Sequence, residues 1–159
     1  MDRETSVPAA EHGVVRRLPR ERFGYFGWPT VARLDDGTLL VAASGCRTEH
    51  VDPYGKTVLL TSDDDGRTWS EPMIVNDTPL DDRDAGLTAL GGRRVLLTWF
   101  TRDTRESLPG VRGQYGEAAE REWQAVLACH DDELVSRWIG SWIRLSEDGG
   151  RTWGEMIRV

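Results

Sequence analysis

Little in this chain points to a membrane, a disulfide framework or a nucleic acid. Cys46 and Cys129 are the two cysteines in 159 residues, too few for a disulfide scaffold, and both are read as reduced thiols. Their neighbours His50 and His130 do not complete a zinc-type spacing, so no metal and no cofactor is expected. No apolar run approaches the roughly 20 residues that a membrane helix needs. The start, Met1-Asp2-Arg3-Glu4-Thr5, is polar and no apolar stretch follows it. No secretory leader is therefore recognised, and a cytoplasmic location is expected, with secretion left open. The net charge is −7 and the arginines are scattered among acids, which weighs against a partner carrying a phosphate backbone.

Seven tryptophans and seventeen glycines are what the chain does have, and they suit a turn-rich β architecture with aromatic packing. The pattern repeats. Pro29 to Leu34, Asp35-Asp36-Gly37 and Thr38 to Ser44 read as strand, tight turn and strand. Ala85 to Leu90, Gly91-Gly92-Arg93 and Arg94 to Phe100 read the same way, so that Leu34 matches Leu90 and Leu40 matches Leu96. The Asp-Gly and Gly-Gly pairs supply the positive φ angles of short hairpins. The second strand of each pair is almost continuously apolar, which predicts cover on both of its faces. A third strand follows in each repeat, Thr57–Thr61 and Ser141–Leu145, and an outer one after that, Pro72–Val75 and Met156–Val159. Residues 101–139 are an insertion in the second repeat. Its Glu117–Cys129 stretch has helical spacing, with Ala119, Trp123, Val126 and Leu127 on one face and a Glu117/Arg121 pair on the other. Ser107–Gly113 reads as a loop.

Between the third and outer strands stand two matching turns. Ser62-Asp63-Asp64-Asp65-Gly66-Arg67-Thr68-Trp69 and Ser146-Glu147-Asp148-Gly149-Gly150-Arg151-Thr152-Trp153 share Ser-x-Asp-x-Gly-x-Thr-Trp. Asp64 and Asp148 suit acceptors for backbone N–H groups, and Gly66 and Gly150 permit a left-handed backbone. The Ser and Thr hydroxyls lock the turn, while Trp69 and Trp153 cover it. A calcium loop is excluded, because Thr61 and Pro72 stand where such a loop needs acids, and Leu145 fails likewise in the second copy.

The two turns resemble the Asp-box, or BNR repeat, of the sialidase superfamily. The resemblance implies an all-β, sialidase-like propeller, of which this chain would supply two four-stranded antiparallel blades of six. Blade 1 would span residues 29–76 and blade 2 residues 85–159, with residues 1–28 an N-terminal segment offering a ring-closing outer strand. The remaining blades are expected in cis, with self-association of three copies as the alternative. In that family the Asp-box is structural, so its acids are not site candidates.

The resemblance also implies a carbohydrate partner and a sialidase-like glycoside hydrolase, or an N-terminal fragment of one. The alternative is a non-catalytic propeller that binds glycans or proteins. Sialidases open their first blade with aromatic-Arg-Ile-Pro; here the stretch is Phe26-Gly27-Trp28-Pro29, and glycine cannot supply the guanidinium. That departure argues for a sugar other than a sialic acid. Arg47 resembles the arginine that follows the second strand, and Asp52 the loop aspartate used as general acid/base. A turn cap ahead of Pro53 is the competing reading of Asp52. His50 is read as a hydrogen-bond partner or sugar contact. Of Asp81-Asp82-Arg83-Asp84, the last two are expected to face substrate, and a solvated, self-paired charge run accounts for Asp81 and Asp82. The family's tyrosine nucleophile and its glutamate come from later blades, so this chain alone is expected to be inactive.

Overall fold

The computed structural model describes residues 11–107 and 116–159. Eight strands form two antiparallel four-stranded sheets, each in simple sequence order. The first holds β1 (Tyr25–Arg33), β2 (Leu39–Arg47), β3 (Lys56–Ser62) and β4 (Met73–Asn76). The second holds β5 (Asp81–Ala89), β6 (Val95–Arg102), β7 (Gly140–Ser146) and β8 (Ile157–Arg158). Between β6 and β7 lie α1 (Glu117–Leu127) and α2 (Asp132–Trp138). The first matches the expected helix; the second was not foreseen. Asp131 caps α2 through its carboxylate, which accepts from the Leu134 N–H at 2.8 Å, an ordinary N-cap. The Ser107–Gly113 loop falls, beyond Ser107, outside the described residues.

Both β1 and β5 begin four residues earlier than the hydrophobic pattern suggests. Their first halves, the aromatic Tyr25-Phe26-Gly27-Trp28 and the charged Asp81-Asp82-Arg83-Asp84, each run into a bulge, so alternation breaks where the strand has begun. Residues 11–24 form turns and extended chain without a strand, so an outer strand from residues 1–28 is not seen among the described residues.

The sheets stack face to face. Leu34, Leu40, Ala42, Leu59 and Val75 from the first meet Ala85, Val95, Leu97, Trp99 and Trp142 from the second. The Thr30 hydroxyl donates to the Ala85 carbonyl at 2.9 Å, and the Arg144 guanidinium to the Val75 carbonyl at 2.7 Å. β2 is buried along almost its whole length, as its sequence predicts. β6 is not: its burial alternates, because no described element covers its second face.

Each Ser-to-Trp turn is closed by its own side chains. Asp64 accepts from the Thr68 N–H at 2.8 Å, the Thr68 hydroxyl at 2.6 Å and the Ser62 hydroxyl at 2.8 Å. Asp148 repeats this with Thr152 and Ser146. Trp69 and Trp153 donate their ring N–H groups to the Gly66 and Gly150 carbonyls. The threonine hydrogen bonds hold both aspartates down at about 2, against an ordinary 3.8. The unfolded chain takes up these protons near 3.8 and the folded chain only near 2. Stability is therefore expected to fall as pH is lowered from about 4 toward 2, followed by urea unfolding at each pH. Replacing both aspartates with asparagine should flatten that acid limb.

Candidate functional site

The bulges of β1 and β5 occupy equivalent places in the two repeats. In β1 the register slips between Gly27 and Thr30; in β5 it slips between Arg83 and Gly86. Trp28 and Asp84 are the equivalent bulge residues, and both are left-handed, with φ of 51° and 50°. A left-handed non-glycine residue is strained by about 1–2 kcal/mol. Strain of this kind gathers where a side chain must be aimed. The Asp84 N–H is caught by the Ser44 hydroxyl at 2.9 Å, which fixes the second bulge against the first sheet.

Beneath the bulges lies a buried charge cluster. Arg47 is 0% exposed. One arm of its guanidinium donates to the His50 carbonyl at 2.9 Å, and the other pairs with Asp81. Asp81 also faces an arm of Arg83 at 3.5 Å. Burial pushes the Asp81 carboxyl up, against the downward pull of Arg47 and then Arg83. Asp82 is buried too. It accepts from the Thr78 N–H and hydroxyl and from the Trp99 ring at 3.0 Å, yet burial raises it to about 6. The reading of Asp81 and Asp82 as a solvated, self-paired run is therefore corrected: both are enclosed. Alternation along the run could not show this, because β1 and the 52–55 turn cover residues that a lone strand would leave wet.

The turn is held by Asp52. Its carboxylate is fully buried and accepts from the Thr48 N–H at 2.5 Å, the Thr48 hydroxyl at 2.6 Å and the Tyr54 N–H at 2.8 Å. The turn closes through the Gly55 N–H on the Asp52 carbonyl, and the Gly55 carbonyl receives the Asp82 N–H at 3.0 Å. Gly55 thus ties the turn to β5, and a Cβ there would collide with Arg47 and Asp81. Its φ is not left-handed, so close approach and not backbone freedom requires glycine. From outside, Tyr54 packs on Trp123 and Leu127 of α1, and Phe23 meets the Tyr54 ring edge-on. Trp123 thereby has the packing role its helical spacing suggests.

Above the cluster is an aromatic cap. The Trp28 ring lies 4.7 Å from the Arg83 guanidinium carbon and 5.6 Å from that of Arg47, within cation–π range. His50 meets the same ring edge-on at 4.7 Å. Desolvation and the charges of Arg83, Arg47 and Arg102 lower the His50 pKa, so its imidazole is neutral at pH 7. Arg83 is nearly buried, and its Nε has no hydrogen-bond partner among the described residues. Asp84 is exposed beside it.

The five residues singled out from the sequence thus converge, but in layers. Arg47 and Asp52 form the floor and are engaged by internal partners, save for the Arg47 Nε, which like that of Arg83 has no hydrogen-bond partner among the described residues. His50, Arg83 and Asp84 lie nearer the surface. Trp28, Ser44, Gly55 and Asp81 were missed as site residues. The signal for Trp28 was present: the repeat alignment that pairs Leu34 with Leu90 also pairs Gly27 with Arg83 and Trp28 with Asp84. At Gly27 itself the Tyr25 ring fills the neighbouring space, with its Cε1 3.1 Å from where a Cβ would stand. Among the described residues, no group of three His, Cys, Asp or Glu side chains is placed to hold a metal ion, and no helix is long and apolar enough to cross a membrane.

Comparison with known proteins finds likeness in architecture alone. No family model matches the sequence, and no curated protein matches it either. Among solved structures, the chain is similar to a protein of unknown function from Dyadobacter fermentans DSM 18053, with a TM-score of 0.59 and 22% identity over 91% of this chain. It spans 38% of that neighbour's length, and at this identity the likeness speaks for the shared two-sheet fold.

Proposed function

We propose that this chain forms the substrate-gripping part of a sialidase-like, glycan-processing propeller, and that the site takes a sugar bearing a carboxylate. The observation that carries the reading is Arg83, a nearly buried guanidinium with an unspent N–H beneath the Trp28 ring. It stands at the repeat position equivalent to Gly27, where the sialidase resemblance leads one to expect an arginine. The guanidinium lacking in the first repeat is thus present in the second. A guanidinium pairs with a carboxylate in a fixed planar geometry, and an aromatic face such as Trp28 suits the apolar face of a sugar ring. Neutral His50 and exposed Asp84 add a donor and acceptors for hydroxyls. Arg47, Asp81 and the Asp52 turn hold this surface in place.

A non-catalytic glycan-binding propeller is the second reading. It is favoured by Asp52, whose carboxylate is committed to its own turn and would have to leave it to protonate a leaving group.

The test is titration of the chain with glucuronate, N-acetylneuraminate and neutral sugars, followed by tryptophan fluorescence. Acidic sugars are expected to bind and neutral ones to bind much more weakly. Arg83→Met should weaken acidic-sugar binding by roughly 10- to 100-fold, the equivalent of about 1.5–3 kcal/mol for a hydrogen bond to a charged group. Equal affinity of wild type and Arg83→Met for every sugar would remove Arg83 from the site. Asp84→Gly, which relieves the strained φ, is expected to be at least as stable as wild type and to bind less tightly. Hydrolysis of fluorogenic glycosides by a protein that also carries the later blades, lost in Asp52→Asn while melting temperature and sugar binding are kept, would favour the hydrolase over the binding module.

A further inference from the structure

The Trp28 ring has two aromatic neighbours. His50 meets it edge-on, and the other is Tyr25, whose ring centroid lies 6.3 Å from that of Trp28 at a tilt of 48°. Tyr25 is the first residue of β1 and stands directly opposite Arg47 in the ladder with β2. Residues opposite each other in an antiparallel pair share a face, so Tyr25 belongs to the face that carries Arg47. Its counterpart in the second repeat is Asp81, itself opposite Arg102. The two repeats use this position differently: Asp81 is fully buried, whereas Tyr25 is 36% exposed.

Other aromatic side chains of this chain are enclosed or engaged. Trp99, Trp123 and Trp142 are buried, and Phe23, exposed to a similar degree, is met by the Tyr54 ring and by the Arg22 guanidinium. Among the described residues Tyr25 has one ring partner, Trp28, and its hydroxyl has no hydrogen-bond partner. Gly27 makes the room in which this ring lies. A Cβ at position 27 would stand 3.1 Å from the Tyr25 Cε1 and 3.7 Å from its hydroxyl oxygen, so a side chain there would make the ring give way. The glycine that withholds a guanidinium from the first repeat thus admits an aromatic ring beside Trp28.

We infer that Tyr25 forms a second sugar subsite beside Trp28, so that the ligand is an acidic oligosaccharide: its carboxylate-bearing unit lies at Arg83 and Trp28, and the sugar linked to that unit lies on Tyr25. This rests on the acidic-sugar reading of the Arg83 site and extends it by one ring. An aromatic face takes the apolar C–H face of a sugar ring, and a phenol hydroxyl at its edge offers a donor and an acceptor to sugar hydroxyls. The tilt between the two side-chain rings suits two linked sugars, which turn about their glycosidic bond instead of lying in one plane. Continuity with Trp28 assigns the occupant, because a ligand held there by its acidic unit carries the next unit onto the neighbouring open ring.

Titration of the 159-residue chain with single and linked acidic sugars, followed by tryptophan fluorescence, tests this. Glucuronate is set against a disaccharide of glucuronate linked to glucose, and N-acetylneuraminate against sialyllactose. Wild type is expected to bind the linked sugar of each pair more tightly. Tyr25→Ala should weaken binding of the linked sugars by roughly 5- to 10-fold and leave that of the single ones within about twofold. Tyr25→Phe should keep most of the preference, because the ring remains. If Tyr25→Ala shifts the thermal transition, Tyr25→Leu, which lacks the aromatic face but fills more of the space, takes its place. Equal losses for single and linked sugars would make Tyr25 a support for Trp28 and overturn the inference, as would no loss for either. Both of those results leave the Arg83 site standing so long as wild type binds single acidic sugars. A wild type that binds no acidic sugar, single or linked, would remove that site and this subsite with it.

Discussion

Arg47→Met is expected to lower stability by about 3–5 kcal/mol, because it strands the Asp81 carboxylate in a buried site. For a chain of this size that corresponds to a fall in melting temperature of roughly 2–4 °C per kcal/mol. Arg47 has no exposed surface, so the loss cannot be relieved by water reaching the carboxylate without local opening. Arg83 stands 3.5 Å from the other Asp81 oxygen, a longer pair that offsets only part of the loss. The remaining route is protonation. Burial already raises Asp81, and removal of its chief opposing charge raises it further. A carboxyl whose folded pKa lies above its unfolded value contributes stability at low pH and loses it as pH rises. The variant should therefore lie closer to wild type at pH 4.5 than at pH 7.5. The double variant Arg47→Met/Asp81→Leu should recover much of the loss, since an apolar pair of similar volume replaces a buried ion pair at little cost. Urea unfolding at the two pH values checks each statement. An Arg47→Met chain as stable as wild type at pH 7.5 would show that the pair does not support the site.

Gly55→Ala is expected to be nearly as damaging, at about 3 kcal/mol or more. The added methyl collides with both members of the Arg47–Asp81 pair, combining overpacking with a displaced buried ion pair. The effect should differ in kind from ordinary glycine replacements in turns. Gly37→Ala meets no neighbour and is opposed only by its φ of 92°, so it should be destabilised by about 1 kcal/mol. Gly55 has the reverse problem, an acceptable backbone with no room. A thermal melt of the two variants side by side separates the explanations. Because the 52–55 turn also holds the Asp82 N–H, Gly55→Ala should weaken acidic-sugar binding along with stability.

The strand order, the hairpins and the paired Ser-to-Trp turns could be read directly from residues. Each depends on local chemistry: Asp-Gly and Gly-Gly at the hairpins, apolar runs between them, and a serine, aspartate and threonine spaced to close a loop on itself. The helix at Glu117–Leu127 is legible for the same reason, since Trp123 and Leu127 lie one turn apart. Local pattern failed where polarity and burial parted company. Asp81 and Asp82 look like a wetted charge run because acids usually are, and only the stacking of β5 against the 52–55 turn encloses them. Asp52 could be read from the sequence either as an acid for substrate or as a turn cap ahead of Pro53, and the fold engages its carboxylate in that turn.

What the sequence determined by itself is the repeat and therefore the two sheets, together with the short list Arg47, His50, Asp52, Arg83 and Asp84. What only the tertiary structure decided is which of those side chains are floor and which are surface. That division depends on contacts between elements far apart in the chain: Arg47 with Asp81, Trp28 with Arg83, and Gly55 with both ends of the buried pair. Spacing within a strand carries no information about such contacts, because they are set by how two bulged strands and a turn come together.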